Sequence, residues 1–64
     1  MPRNKLKEYR MSIKKTQKEM AKIWGISVSF YKQIEFGAKN PSIMKIKEFK
    51  SKFPTADTNK IFLT

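Results

Sequence analysis

From Ser27 to Gly37 the chain reads Ser-Val-Ser-Phe-Tyr-Lys-Gln-Ile-Glu-Phe-Gly. Laid on a helix at about 100° per residue, Tyr31 and Ile34 share one side, with Ile26 beneath them and Phe30 at the boundary. Ser29, Lys32, Gln33 and Phe36 then point outward, and Val28 flanks them near the start. That row has the chemistry to read base edges in a major groove, which is wide enough to admit a helix. Gln33 can both donate and accept against adenine N6 and N7. Lys32 can donate to guanine O6 and N7 or to a phosphate, Val28 suits a thymine methyl, and Ser29 is adaptable. Plainer roles stand beside these: Val28 tolerated at a helix start, Lys32 merely solvated. Phe36 could press on a sugar, but packing over the helix end is the expectation for an aromatic there. Gln17 falls at the first position of an earlier helix, where free N–H groups and the positive helix end favour a phosphate, and Lys18 shares that turn. The Gln17 amide can also reach the later helix. Lys45, in the first turn of a fourth helix, is a further phosphate candidate, whereas Lys7, Lys47 and Lys52 are read as solvated.

The overall balance agrees with a polyanionic partner. Fifteen Lys and Arg oppose five Asp and Glu, a formal charge of +10. Nucleic acid comes first and an acidic membrane surface second. The basic residues run from Arg3 to Lys60 without forming a block, so a positive face has to be assembled by folding. Thirteen of the fifteen are Lys, which suit phosphates as point charges. The chain has no Cys and no His, which excludes a disulfide framework or a zinc finger and leaves no metal or cofactor site in view. A 64-residue chain has little room for both a scaffold and an enclosed catalytic pocket, so no enzyme is expected. No secretory signal opens it, no apolar run approaches ~18 residues, and no small-molecule ligand is evident. The expectation is one cytoplasmic binding domain spanning residues 1–64.

Gly25, Gly37, Pro41 and Pro54 cut the chain into pieces of helical length, without the strict alternation that marks strands. The first piece, about Asn4 to Ser12, carries Leu6, Tyr9 and Ile13 at amphipathic spacing. The second starts at a capping box, Thr16-Gln17-Lys18-Glu19, and stops at Gly25. The third opens at Ser27 as N-cap and stops at Gly37. Only Gly25-Ile26-Ser27 separates the two, which forces a helix-turn-helix over residues 16–36. A fourth helix follows Asn40-Pro41-Ser42 with Ile43, Ile46, Phe49 and Phe53 as its apolar stripe. Asp57 or Thr58 can cap a last short turn with Ile61, Phe62 and Leu63. The fold class is an all-α bundle of four to five helices.

The run Thr16-Gln17 … Met20-Ala21 … Trp24-Gly25-Ile26-Ser27 … Tyr31 … Ile34-Glu35 … Gly37 … Asn40-Pro41-Ser42 resembles the Cro/C1-type helix-turn-helix family of phage repressors and xenobiotic-response-element regulators. The resemblance covers about residues 5 to 53 and implies a lambda-repressor-like DNA-binding domain. It implies base contacts from Val28, Ser29, Lys32 and Gln33, and a phosphate contact from Gln17. It also sets the loop holding Lys39 and Asn40 against the DNA backbone. Arg10 and Glu35, which interrupt otherwise apolar faces, match positions that pair as a structural salt bridge. Three departures stand out. Lys14-Lys15 replace the usual Gly-Leu, so the first turn is expected to differ. Tyr31 replaces Ile or Val, and the tail from Phe53 to Asp57 is like a minority form that ends in a short apolar helix.

The function expected is a sequence-specific, double-stranded DNA-binding transcriptional regulator, a repressor or Cro-like switch. The alternative is an antitoxin or other protein-interaction module on the same fold, for which only residues 54 to 64 could wrap a partner. RNA or membrane binding through charge alone leaves the outward row unexplained. A weak homodimer on a pseudo-palindromic operator is expected, joined through the tail cluster Ile61, Phe62 and Leu63, unless those side chains cap the monomer's own core.

Overall fold

Helix punctuation governs the architecture. A computed structural model describes residues 3–62, which form α1 (Asn4–Ser12), α2 (Gln17–Trp24), α3 (Val28–Phe36), α4 (Ile43–Lys52) and α5 (Thr58–Phe62). Among the described residues there is no strand. The starts are set by side-chain oxygens. Thr16 Oγ1 accepts from the Glu19 N–H at 3.1 Å while Glu19 Oε1 accepts from the Thr16 N–H at 2.9 Å, a complete capping box. Ser27 and Ser42 cap α3 and α4 through the N–H groups of Phe30 and Lys45, and Asp57 Oδ1 takes the N–H of Lys60. Each such cap stabilises its helix by about 1 kcal/mol.

Three successive helices end in the same left-handed turn. Gly25 (φ 88°) and Gly37 (φ 95°) close α2 and α3, where the absence of a Cβ makes positive φ cheap. After α1 the same position is held by Lys14, at φ 57°. Its N–H bonds to the Met11 carbonyl, and the Lys15 N–H reaches back to Arg10, the paired pattern of a Schellman ending. Lys14 thus holds the left-handed position that glycine holds after α2 and α3, at the cost of local backbone strain.

The core is aromatic. Leu6, Met20, Trp24, Tyr31, Ile34 and Phe49 are fully buried. The Trp24 ring lies 4.8 Å from Phe49 and 6.1 Å from Tyr31, and its Nε1 donates to the Lys45 carbonyl at 2.9 Å. Each large apolar side chain so buried contributes about 1.5–3 kcal/mol. α4 gives this core the Lys45 carbonyl from its first turn, but apolar side chains only from Ile46 onward. Phe49 and Phe53 are buried and Ile46 is half-buried, but Ile43 is 60% exposed, so the expected stripe loses its first member. Ile43 directly follows the Ser42 N-cap, and its side chain falls short of the core.

α5 closes the aromatic cluster from below. Ile61 is buried, and the Phe62 ring lies 5.2 Å from Phe49 and 5.8 Å from Trp24. Both therefore cap the monomer's own core instead of offering a pairing surface, and Leu63 lies outside the described residues. The loop before α5 is tied down as well: the Lys50 ammonium donates to the carbonyls of Pro54 and Ala56 at 2.9 and 2.8 Å. Among the described residues, the stretch after Pro54 is thus docked on the rest of the domain.

Candidate nucleic-acid interface

α3 is held rigidly because its inner side carries more than apolar contacts. Glu35, only 6% exposed, accepts four hydrogen bonds. Oε2 takes Arg10 Nε at 3.0 Å and the Tyr31 hydroxyl at 2.8 Å. Oε1 takes Arg10 Nη2 at 3.2 Å and Gln17 Nε2 at 3.2 Å. Arg10 spends Nη1 on the Lys15 carbonyl at 3.1 Å, inside the strained turn that ends α1. One carboxylate thus joins α1, α2 and α3. Burial pushes its pKa up, but the hydrogen bonds from Arg10 and Tyr31, the Arg10 charge and the Gln17 amide outweigh burial and hold it below the usual carboxylate range. Burial raises the Tyr31 phenol strongly, and its bond to Glu35 adds to the rise, so it stays a neutral donor. Buried ions are tolerated only when every lone pair is answered, and here the carboxylate is.

The other end of α3 is fixed through its backbone. The Gln33 carbonyl receives the N–H groups of Gly37, Ala38 and Lys39 at 3.0, 2.9 and 3.2 Å. Gln33 is therefore anchored by its main chain, which leaves its amide to solvent.

Outside, the residue pattern changes. Val28, Ser29, Lys32, Gln33 and Phe36 are all exposed. Among the described residues the side chains of Ser29, Lys32 and Gln33 have no hydrogen-bond partner. Phe36 is 70% exposed, so it does not pack over the helix end as expected. Gly37 ends the helix immediately after it, and the chain turns away before anything can cover the ring.

The phosphate candidates divide into three situations. Lys18, Lys39 and Asn40 are exposed. Gln17 is half-buried with its amide nitrogen engaged by Glu35, which leaves its oxygen and the first-turn N–H groups of α2 for a ligand. Lys45 forms an ion pair with Glu48 at 3.4 Å, one turn along its own helix.

An open cleft of about 670 Å³ runs along α3. Lys32, Gln33, Glu35 and Phe36 form one wall, Gln17 the end, and Arg3, Asn4 and Lys7 the other wall. Sequence reasoning missed that last trio and left Lys7 to solvent. A signal was present: Arg3, Lys7 and Arg10 repeat at spacings of four and three, so whatever aims Arg10 at α3 also aims the other two. Arg3 is further engaged by its backbone N–H, which donates to the Glu35 carbonyl at 2.7 Å, and by its guanidinium, which donates to Asn40 Oδ1.

A helix-turn-helix family model matches residues 6–51, from α1 to the last turn of α4. The chain belongs to the Cro/C1-type helix-turn-helix family. No curated protein and no solved structure matches it. Membership makes this a DNA-binding helix-turn-helix domain of a regulator family, with α2 and α3 as its two motif helices. Arg3, Asn4 and α5 fall outside the matched stretch, whereas Lys7 falls within it. Among the described residues, no helix is long and apolar enough to cross a membrane.

Proposed function

We propose that the protein is a sequence-specific transcriptional regulator, a repressor or Cro-like switch, that lays α3 in the major groove of double-stranded DNA. The observation that carries this reading is the exposed, unpartnered row on α3, on a helix whose opposite side is pinned by Glu35. Gln33 reads adenine, Lys32 a guanine or an adjacent phosphate, Val28 a thymine methyl, and Ser29 assists at the groove floor. Lys18, Lys39, Asn40 and the first turn of α2 at Gln17 hold the backbone on the two sides of the groove. Lys45, paired with Glu48, adds only a peripheral charge. Repression needs nothing more than occupancy of a site that polymerase would otherwise use.

One recognition helix reads too few base pairs to select a site in a genome, and two copies placed about 34–36 Å apart on a pseudo-palindrome supply the rest. At +10 per chain the copies repel in free solution. Pairing is therefore weak and completed on the duplex, whose phosphates screen that charge. Because Ile61 and Phe62 are committed to the core, they are not the pairing surface. Among the described residues the most exposed adjacent apolar pair is Ile43 and Met44, 60% and 71% exposed, at the start of α4.

Selection of bound duplexes from a random pool tests this directly. Enrichment of a two-fold symmetric motif, bound by two chains in sedimentation, is the expected result. Recovery of the unselected base composition would remove sequence-specific reading.

A further inference from the structure

The α1 wall of the cleft has no part in the interface described so far, yet its charge is unanswered. Arg3, Lys7 and Lys32 converge on one open space. Among the described residues none of the three has an ion-pair partner. The one carboxylate on the wall, Glu35, already accepts four hydrogen bonds. Arg3 Nε is buried and has no acceptor at all. Three like charges facing each other across a cleft raise the local potential, and an anion entering it lowers that cost. A free anion would have no use for the rest of the lining, the open Phe36 ring and the amides of Asn4 and Gln33. Cations and an open aromatic face lining one cleft match the chemistry of a sugar–phosphate chain.

We propose that this cleft seats one stretch of the DNA backbone, with Lys7 on a phosphate and Phe36 against a deoxyribose. The proposal rests on the DNA-binding reading and extends the interface from the motif helices to α1. Arg3 acts through Asn40: its guanidinium steadies the loop whose side chains meet the neighbouring phosphates.

Lys7 and Phe36 are exposed, so their substitution leaves folding intact, which a thermal melt checks. Affinity for the selected duplex is measured across a salt series for the unchanged protein, Lys7→Ala, Lys7→Arg, Phe36→Ala and Lys47→Ala. Lys47→Ala removes the same charge from α4, outside the cleft, and controls for net charge. Lys7→Ala is expected to weaken binding about three- to fivefold and to reduce the slope of log K against log salt by about 0.9, the share of one released counterion. Lys7→Arg should restore the slope. Phe36→Ala should weaken binding with the slope unchanged, because an apolar contact displaces no counterion. Lys7→Ala and Phe36→Ala both indistinguishable from Lys47→Ala would overturn the backbone seat while leaving α3's role standing. Failure of the unchanged protein to bind any duplex would overturn the underlying reading as well.

Discussion

Gln33 and Glu35 lie two residues apart on α3, and their side chains live in opposite conditions. Glu35 is buried under four donors drawn from three helices, whereas the Gln33 amide has no partner among the described residues. A buried carboxylate without its donors would cost several kcal/mol, so the inner side is tightly specified. An exposed amide without partners loses nothing, because water serves it. The helix therefore separates two tasks by azimuth: one side sets where the rod lies, and the other is left free to meet a ligand. Substitutions on the two sides should fail in different assays.

The sharpest break is expected at Arg10. Arg10→Ala leaves Glu35 buried with half its donors and should cost roughly 3–5 kcal/mol in a urea titration. A 64-residue domain has about 3–10 kcal/mol in total, so the variant should lose a large share of its stability. An unchanged midpoint would mean that the carboxylate is not what positions α3.

Acid should act on the same side. The folded-state pKa of Glu35 is depressed, so its contribution is fully present above the unfolded value near 4.5 and is lost as pH falls through the folded value. Glu19, whose pKa is lowered first by the Thr16 N–H and then by the Thr16 hydroxyl, acts in the same direction. Melting temperature should therefore drop in acid below the ordinary carboxylate range. Glu35→Gln should start about 1–3 kcal/mol less stable and fall less steeply over that range. Parallel curves for the two proteins would assign the acid lability elsewhere.

The outer side should behave in reverse. Gln33→Ala should leave stability within about 0.5 kcal/mol while discrimination at one or two base positions falls by about 1–3 kcal/mol. A uniform loss over all duplexes would make Gln33 a backbone contact instead. The smallest effect belongs to the turn that orients Arg10. Lys14→Gly relieves the positive φ and should stabilise the domain by about 1 kcal/mol without altering DNA affinity.

Much of the frame was legible because caps and glycines act locally. Thr16, Ser27, Gly25 and Gly37 each mark a helix end through a bond to a residue a few positions away, so no tertiary knowledge was needed. The Arg10–Glu35 pair spans 25 residues, and it was legible only through the family resemblance. Positions whose environment depends on how far a neighbouring element extends were not legible. Ile43 has the spacing of a core residue, but the apolar core stops short of the helix's first residue. Phe36 has the size of a core residue, but the chain departs at Gly37 and leaves nothing above it. Lys7 looked solvated because its role depends on the crossing of α1 over α3, which spacing along α1 hinted at without fixing. Ile61 and Phe62 were correctly seen as apolar, and only the packing of α5 onto Phe49 and Trp24 decided which surface they serve.

Trp24 gives the molecule a built-in optical gauge. It is the chain's single tryptophan, 2% exposed, ringed by Tyr31, Phe49 and Phe62 from three other helices. Its emission should be blue-shifted and shielded from aqueous quenchers while those helices are docked, and should move to the red once any of them departs. The indole lies on the side of α3 away from Gln33, so an arriving duplex should hardly disturb it. Fluorescence from one residue thus reports packing alone, and a change in DNA affinity that leaves this colour constant can be ascribed to the surface.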